Sequence, residues 1–598
     1  MKEALTLEID GRFLYYAFLA GGRKILQNQT EINRINVFPV NDKDTGTNLA
    51  STIRSVIDNI KPHKSYKTTV NNIAEAALIG ARGNSGVIFA QFLYGISQET
   101  INKSVITLSE FADSIKNSIP YIYEAVANPV EGTMLTVIKD WSDYIFSKKA
   151  IIQDFKKIFV DSFEILEKSL LETKSKLNIL KKYNFVDAGA KGFVLFIEGI
   201  IDFIRSRNIR NFVALPDERI SLIHDEGNFN EDINYRFCAE AVVRNIKISK
   251  TGLQNLLSTY GDSVVIAGSE SISRIHVHTN QLAELFHDLK DYGIISFQKV
   301  DDMIRQHETA TKRKWNIALV TDSTCDLPQD IIDNYQINVV PLNINFGENH
   351  YLDKVTIKPE QFYNLLATSV EFPKTSQVNE RAFTNLYSHL SSHYDAILAI
   401  HLTSHFSGTF QCSVKAAERI QTEFKKPIIV IDSKNLSGAL GLIVLRVAQS
   451  IEAGWPIEAI TKGAETWIDK SKIFVSVKNL KYMIKGGRVS KPKGYIANLL
   501  GIKPIISMDR NGKSMLLGQT FSQSANIEKV MKHIKSISQD KHIWNYIVLH
   551  AQNPTGAQSY TEKMIQLTGK KPVSIVDISP VIGMNAGTGS IAVSLLYE

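Results

Sequence analysis

Along the first third of the chain the apolar residues recur at intervals of three and four, as in Phe155, Ile158, Phe159, Phe163, Leu166 and Leu170. That spacing places them on one face of a helix. Residues 1–215 therefore read as a nearly all-helical domain, broken by short Gly-, Pro- and Thr-containing segments that belong at helix ends around one rim. From about 225 to 310 the pattern becomes mixed, with Arg236 to Val243 and Ser263 to Ile266 β-rich, and a small α+β domain is expected. In Arg274 to Thr279 strict alternation puts Ile275 and Val277 on one face of a strand and His276 and His278 on the other. After a basic joint at Thr311 to Lys314, residues 315–598 alternate buried-looking strands with helical stretches. The strands are Ile317 to Val320, Ile337 to Pro341, Ala396 to His401, Ile428 to Asp432 and Tyr546 to His550, and they predict an α/β domain with mainly parallel pairing.

A length of 598 residues agrees with three domains, since one hydrophobic core stops growing well before that size. The net charge of +7 changes this picture little, because no dense Lys/Arg block with interleaved aromatics suggests a nucleic-acid partner. The three cysteines, Cys238, Cys325 and Cys412, are too few and too scattered for a disulfide framework. No apolar run reaches the length of a spanning helix, and the stretch Phe13 to Ala20 is too short and polar to be a convincing leader, so a cytoplasmic protein with no integral membrane segment is expected.

Candidate chemistry gathers in the interruptions. In the segment Asn36 to Asn48, Asp42 and Asp44 are two apart in a turn where both carboxylates can face a hard cation such as magnesium. Thr45, Gly46, Thr47 and Asn48 follow at an expected helix start, where backbone N–H groups and the helix dipole favour phosphate. An isolated Asp-x-Asp is more often an acidic turn with an N-cap. Here it has company: Gly80 to Gly86, Glu131 to Val137 and Val186 to Gly192 are three further small-residue turns between helices.

Taken together and in this order, these segments resemble the ATP-binding family of the dihydroxyacetone kinases, and more closely the kinase subunit of bacterial fatty acid kinase, over about residues 1–310. The resemblance implies an eight-helix barrel with magnesium on Asp42 and Asp44 and with Asn36 as a further contributor. It also implies that Gly83, Asn84, Ser85 and Gly86 cradle phosphates, that Thr133 and Met134 lie beside the nucleotide, and that Asp187 to Gly189 close the site. The chain departs from the family where Asn41 and Lys43 replace the usual Pro and Gly.

In the middle region Cys238, His276 and His278 make an acceptable zinc set that lacks a fourth ligand; a polar strand face with a small thiol is the plainer alternative. The resemblance continues here, and implies that the Cys and His pair recurs in the kinase component of fatty acid kinase.

In the last region Val320 to Pro328 follows the first strand, where open sheets place ligands. With Thr375 to Gln377, Ser404 to Phe410, Ile431 to Asn435, Lys485 to Ser490 and Val581 to Gly589 it resembles the DegV family of fatty-acid-binding proteins. That family's fold implies two α/β lobes with a lipid tunnel between them and a carboxylate held by hydroxyls and backbone amides, here Thr375, Ser376, Ser407, Gly408 and Thr409. Asn585 stands where the family commonly has a histidine, and Arg488 lies in a Gly-rich basic loop suited to docking or phosphate contact.

The expectation that follows is an ATP- and magnesium-dependent kinase for a fatty acid carboxylate, giving acyl phosphate for phospholipid synthesis. A homodimer and an acyl-phosphate-using acyltransferase partner belong to the same expectation. The alternatives are a lipid-binding or regulatory protein with a degenerate kinase site, and a dihydroxyacetone-type small-molecule kinase, for which no His-bearing substrate domain is found.

Overall fold

The computed structural model describes residues 5–38, 44–206, 233–478, 481–487 and 501–598. The chain divides into two compact units, residues 1–281 with 289–306, and residues 282–288 with 307–598.

In the first unit the described residues up to 206 form ten helices: α1 Gly11–Gln27, α2 Gln29–Arg34, α3 Thr45–Asn59, α4 Tyr66–Gly80, α5 Gly83–Glu99, α6 Leu108–Ala125, α7 Met134–Lys148, α8 Phe155–Lys176, α9 Asn178–Tyr183 and α10 Ala188–Ser206. The three-and-four periodicity is realised as expected. In α8, for example, Phe155, Ile158, Phe159, Leu166 and Leu170 are buried. Several starts are capped by the residue types that do this best: Asp10 caps α1, Ser65 caps α4, and Thr107 with Glu110 forms a capping box on α6. Two short strands, β1 Glu8–Asp10 and β2 Val105–Thr107, pair antiparallel. Alternation over three residues is too brief to stand out from helical periodicity, which is why this pair escaped the sequence reading.

The same unit holds an antiparallel sheet of β3 Phe237–Arg244, β4 Gly261–Gly268, β5 Ile272–Thr279 and β6 Ile294–Asp302, in the order β4-β5-β3-β6. It packs on the helices rather than standing apart. Val265 and Ala267 of β4 belong to the helical core, the Ala127 N–H donates to the Val264 carbonyl, and the Gly268 N–H donates to Gln91 of α5. The join between helices and sheet is therefore partly a hydrophobic core and partly backbone pairing.

The second unit has two α/β lobes. In the first, β7 Ile317–Asp322, β8 Asn338–Val340, β12 Ala396–His401 and β13 Ile428–Asp432 form a parallel sheet ordered β13-β12-β7-β8. A small antiparallel sheet of β9 Asn343–Phe346, β10 Asn349–Leu352 and β11 Lys374–Ser376 accompanies it. The second lobe is a six-stranded sheet ordered β16-β15-β14-β19-β17-β18, from β14 Ser471–Ser476, β15 Lys503–Met508, β16 Ser514–Thr520, β17 Ile543–His550, β18 Ile575–Asp577 and β19 Ile591–Tyr597. Among the described residues only β17 and β18 pair parallel in this lobe, so the expected mainly parallel pairing holds for the first lobe and fails for the second. A continuous apolar strand such as Ile591 to Tyr597 is buried on both faces whichever way its neighbours run, so its composition does not reveal direction. Among the described residues no helix is long and apolar enough to cross a membrane.

Candidate functional site

Four helices of the first unit begin close together. A Cβ on Gly83, at the start of α5, would lie 2.1 Å from Asn48 Nδ2 in the first turn of α3. A Cβ on Gly189, in the first turn of α10, would lie 3.0 Å from Ser85 Oγ of α5 and 3.4 Å from the Met134 Cβ of α7. Each start brings the positive end of its dipole, equivalent to roughly half a charge, and although protein acceptors already take the N–H groups of Thr47, Gly83, Met134 and Ala190, the convergence of dipoles favours an anion. The Asn84 side-chain oxygen is buried here with no partner among the described residues. An amide oxygen only accepts, so a partner for it would be a cation or a hydroxyl or amino donor rather than a phosphate oxygen.

The residues expected at this site fall into distinct positions. Asp44 precedes α3 without capping it through its side chain. The Thr45 hydroxyl donates to Asn36 Oδ1 at 2.8 Å, both residues being buried, so Asn36 braces the start of α3. Thr47 faces α2: its N–H donates to Asn33 Oδ1, and its hydroxyl accepts from Asn33 and Gln29. Gly46 serves the same contact, because a Cβ there would stand 2.2 Å from the Gln29 carbonyl oxygen. Gly86 packs on Thr52 of α3. Thr133 bonds back to the Val130 carbonyl and precedes Met134, the first residue of α7. Asp42 lies outside the described residues, as do Asn41 and Lys43.

Asp187 is buried and caps two helices. Its Oδ1 accepts the Ala190 N–H at 2.8 Å, and the Met134 N–H also donates to its carboxylate. Burial outweighs both bonds and pushes its pKa up to about 6.

One polar face of the sheet lies near the starts of α3 and α5. Cys238 and Glu240 of β3 stand opposite His278 and His276 of β5, and opposite Asp301 and Lys299 of β6, so all six project to the same side. Arg274, two residues before His276, shares that face, and its guanidinium lies 5.1 Å from the Phe297 ring centre. The sulfur of Cys238 and a ring nitrogen from each histidine lie within 4.8 Å of one another, with Cys238 Sγ 3.7 Å from His276 Nδ1. His276 Nε2 is buried with no partner among the described residues. Cys, His and His within that radius form a fitting donor set for a zinc ion.

Electrostatics on this face are strong. Burial, followed by the charges of Glu240 and Asp301 and with a contribution from Asp44, pushes the Cys238 thiol well up. Burial and then His276 push His278 down to about 3, leaving a neutral imidazole. Burial alone would raise Glu240, but the Arg274 guanidinium, His276 and Lys299 hold it well below the ordinary carboxylate range. The Lys299 ammonium pairs with Asp301. Glu240, Arg274, Lys299 and Asp301 were missed in the sequence as a group. The signal was present in the register, since a one-to-one match of Cys238-x-Glu240 with His276-x-His278 already puts four polar side chains on one face.

In the second unit the structure brings two of the expected segments together. A Cβ on Gly408 would lie 1.9 Å from Gln377 Oε1, so the end of β11, with Thr375 and Ser376, is seated on the turn that opens the helix Thr409–Phe424. In that turn the hydroxyls of Ser407 and Thr409 are 2.8 Å apart. Asn585 faces a different neighbour: its Nδ2 donates to the Val581 carbonyl at 3.2 Å, and its Oδ1 abuts Gly486 and has no partner among the described residues. Lys485, beside Gly486, lies 5.6 Å from the ring centre of Phe372, which precedes β11. Arg488 lies outside the described residues.

The segment after β7 differs from expectation. Asp322, Ser323, Thr324 and Asp326 are buried and bonded to protein: Asp326 to Lys354, Ser437 and the Ser579 N–H, and Ser323 to Asp353. Asp322 also meets His401 Nδ1 at 3.2 Å, and His401 Nε2 lies 2.9 Å from Ser413 Oγ. This acid–His–Ser chain has no exposed member and ties β7 to β12 and the helix Thr409–Phe424.

Comparison with known proteins matches three parts of the chain. Residues 39–202 match the DAK2 domain, residues 234–310 the FakA-like middle domain of fatty acid kinases, and residues 316–598 the uncharacterised DegV family. An uncharacterized protein of Staphylococcus saprophyticus is 31% identical over 321 residues, covering 52% of this chain and 58% of that protein. The protein YloV of Bacillus subtilis is 31% identical over 316 residues, covering 50% of this chain and 56% of its own length. The chain thus spans less than two thirds of the curated relatives it matches. Among solved structures, a fatty-acid-binding DegV family protein of Thermus thermophilus aligns with TM-score 0.44 and 25% identity, over 47% of this chain and 100% of that one. DegV, a fatty acid binding protein from Bacillus subtilis, aligns with TM-score 0.43 and 27% identity, over 48% of this chain and 100% of that one.

Proposed function

We propose that this chain, which joins a DAK2 domain, a FakA-like middle domain and a DegV domain, uses ATP to phosphorylate the carboxylate of a fatty acid held by its DegV domain. The observation that carries this reading is the convergence of four helix starts, through Gly83 on Asn48 and Gly189 on Ser85 and Met134, within the residues that match the DAK2 domain. On this reading the eight long helices form a barrel whose rim holds the nucleotide.

A fatty acid carboxylate is ionised at neutral pH, with a pKa of about 4 to 5 like other carboxyls, so it attacks without a general base. One carboxylate oxygen forms a bond to the γ-phosphorus as the bond to the bridging β–γ oxygen breaks, giving acyl phosphate and ADP. What the protein must supply is alignment and relief of anion repulsion. The N–H groups of Asn84 and Ser85 at the start of α5 and the positive dipole ends of α7 and α10 serve that end. Asp42 and Asp44 are the residues that would hold magnesium, which when bound neutralises charge on the phosphates. Thr375, Ser376, Ser407, Gly408 and Thr409 would hold the fatty acid carboxylate, with Arg488 and Asn585 as further binding residues. Hiding some sixteen carbons at about 0.8 kcal/mol each sequesters the chain by on the order of 10 kcal/mol before association costs.

Joining kinase and carrier in one polypeptide raises the effective concentration of each for the other to about millimolar where geometry permits. Where it does not, transfer between two copies serves, and a homodimer is part of this reading. Zinc at Cys238, His276 and His278 would be structural. The acyl phosphate would pass to an acyltransferase of phospholipid synthesis, in the cytoplasm.

A second reading, a lipid-binding protein whose phosphoryl transfer has been lost, is favoured by one observation. Asn585, bonded to a main-chain carbonyl, brings no positive charge to a carboxylate. One experiment separates the two. Incubated with oleate and magnesium ATP, the protein yields a hydroxamate when acyl phosphate is trapped with hydroxylamine. A preparation that binds both ligands and gives no hydroxamate supports the second reading and overturns the first.

A further inference from the structure

The sheet and the glycine turn meet at one bond, donated by the Gly83 N–H to Glu240 Oε1 at 2.5 Å across 157 residues of sequence. The second carboxylate oxygen, Oε2, accepts from Arg274 Nη2 at 2.7 Å, and Oε1 lies 3.7 Å from His276 Nδ1. Both Glu240 and Arg274 have side chains only 1% exposed.

This is an expensive arrangement for stability alone. A buried ion pair rarely outperforms apolar side chains of the same size, and here Arg274 Nε and Nη1 find no partner among the described residues. A carboxylate suits the positive end of α5, but a bare one beside a triphosphate site would repel the ligand. Arg274 cancels that charge, and Lys299 stands directly across the strands from Glu240. The pair thus delivers a fixed acceptor without net negative charge.

We propose that Glu240 is a positioning residue for the nucleotide. It takes the Gly83 N–H out of reach of the phosphates and fixes the Arg82–Gly83 backbone, so that the next two N–H groups, of Asn84 and Ser85, point to them. Arg274 keeps the tether neutral. The inference rests on the kinase reading above. It makes the middle domain part of the phosphate cradle rather than a spacer.

The test compares Glu240→Ala/Arg274→Met with Glu240→Gln/Arg274→Met in the full chain. Both remove the buried charges; only the second keeps an oxygen within reach of Gly83. The alanine variant is expected to raise KM for ATP about tenfold over the glutamine variant, as loss of one positioned bond of about 1.4 kcal/mol predicts, with kcat and the melting temperature closely matched. Equal KM values overturn the proposal. Glu240→Asp, which keeps the charge and shortens the reach by one methylene, is the second arm, and it too must raise KM. Hydrogen exchange of the peptide spanning residues 80–87, in nucleotide-free protein, reads the tether without any activity: faster exchange in the alanine variant supports it and equal exchange overturns it. Wild-type protein that takes up no nucleotide overturns the kinase reading and the nucleotide role together, and the exchange comparison still decides the tether.

Discussion

Gly189 of α10 and Ser85 of α5 approach so closely that a Cβ on the glycine would stand 3.0 Å from the serine hydroxyl oxygen. The neighbouring contacts, 3.4 Å to Asp187 Oδ1 and to the Met134 Cβ, are ordinary. Gly189→Ala therefore needs a shift of a few tenths of an ångström in one side chain, and alanine favours the helix by up to ~1 kcal/mol over glycine. The fold is expected to hold its melting temperature while affinity for magnesium ATP drops about tenfold, the equivalent of ~1.4 kcal/mol, in titration calorimetry. Unchanged affinity would place the nucleotide elsewhere.

Gly83→Ala is a harsher change. The backbone there has φ +56 and the Cβ would stand 2.1 Å from Asn48 Nδ2, so strain and collision combine. A loss of on the order of 2–4 kcal/mol is expected in urea denaturation. Gly454→Ala is the control: φ is +73 but nothing lies within 4 Å, so only the ~1–2 kcal/mol of backbone strain remains. Equal losses at the two positions would show that the contact with α3 is soft.

The buried Asp187 makes stability depend on pH in a defined direction. Its pKa rises from 3.8 to about 6 on folding, so the folded state holds this proton more tightly than the unfolded state. The group's contribution is therefore most favourable below pH 4 and is lost as pH rises through 6, by at most on the order of 3 kcal/mol. The difference in unfolding free energy between wild type and Asp187→Asn should shift in favour of the variant between pH 4 and 7. A difference that stays flat over that range would mean that the carboxyl is solvated.

Zinc on Cys238, His276 and His278 predicts about one zinc ion per chain in protein purified without chelator, lost in Cys238→Ser and in His276→Ala, by elemental mass spectrometry. Wild-type protein carrying no zinc after growth in zinc-supplemented medium would leave these side chains as a polar strand face.

Much of this fold could be read from the chain, and the failures have physical causes. The limits of β12 and β13 were legible to the residue, since short apolar runs bounded by turn residues have little freedom. The helix start at Thr45 was legible, while the small-residue segments around Gly83, Met134 and Ala188 were legible as breaks between helices, inside which α5, α7 and α10 begin. Gly46 and Thr47, expected beside phosphates, also serve the α2–α3 contact. Glycine looks the same in sequence whether it admits a ligand or a neighbouring carbonyl. Glu240 could not be placed at all, because its partner Gly83 lies in another domain's motif and no local pattern couples the two. The buried polar cluster around Asp322 and Asp326 misled for a similar reason: Asp, Ser and Thr after a strand end signal ligand or internal network equally well.

The strand order of the second lobe bears on how the molecule is made. β19 sits between β14 and β17, with more than a hundred residues of chain separating it from β14. During synthesis β14, β15 and β16 can pair early, but the inner edge of β14 stays open until residues 591–597 leave the ribosome and slot in. An unpaired apolar edge is a template for wrong partners, so this lobe should be the slow, chaperone-dependent step of biogenesis.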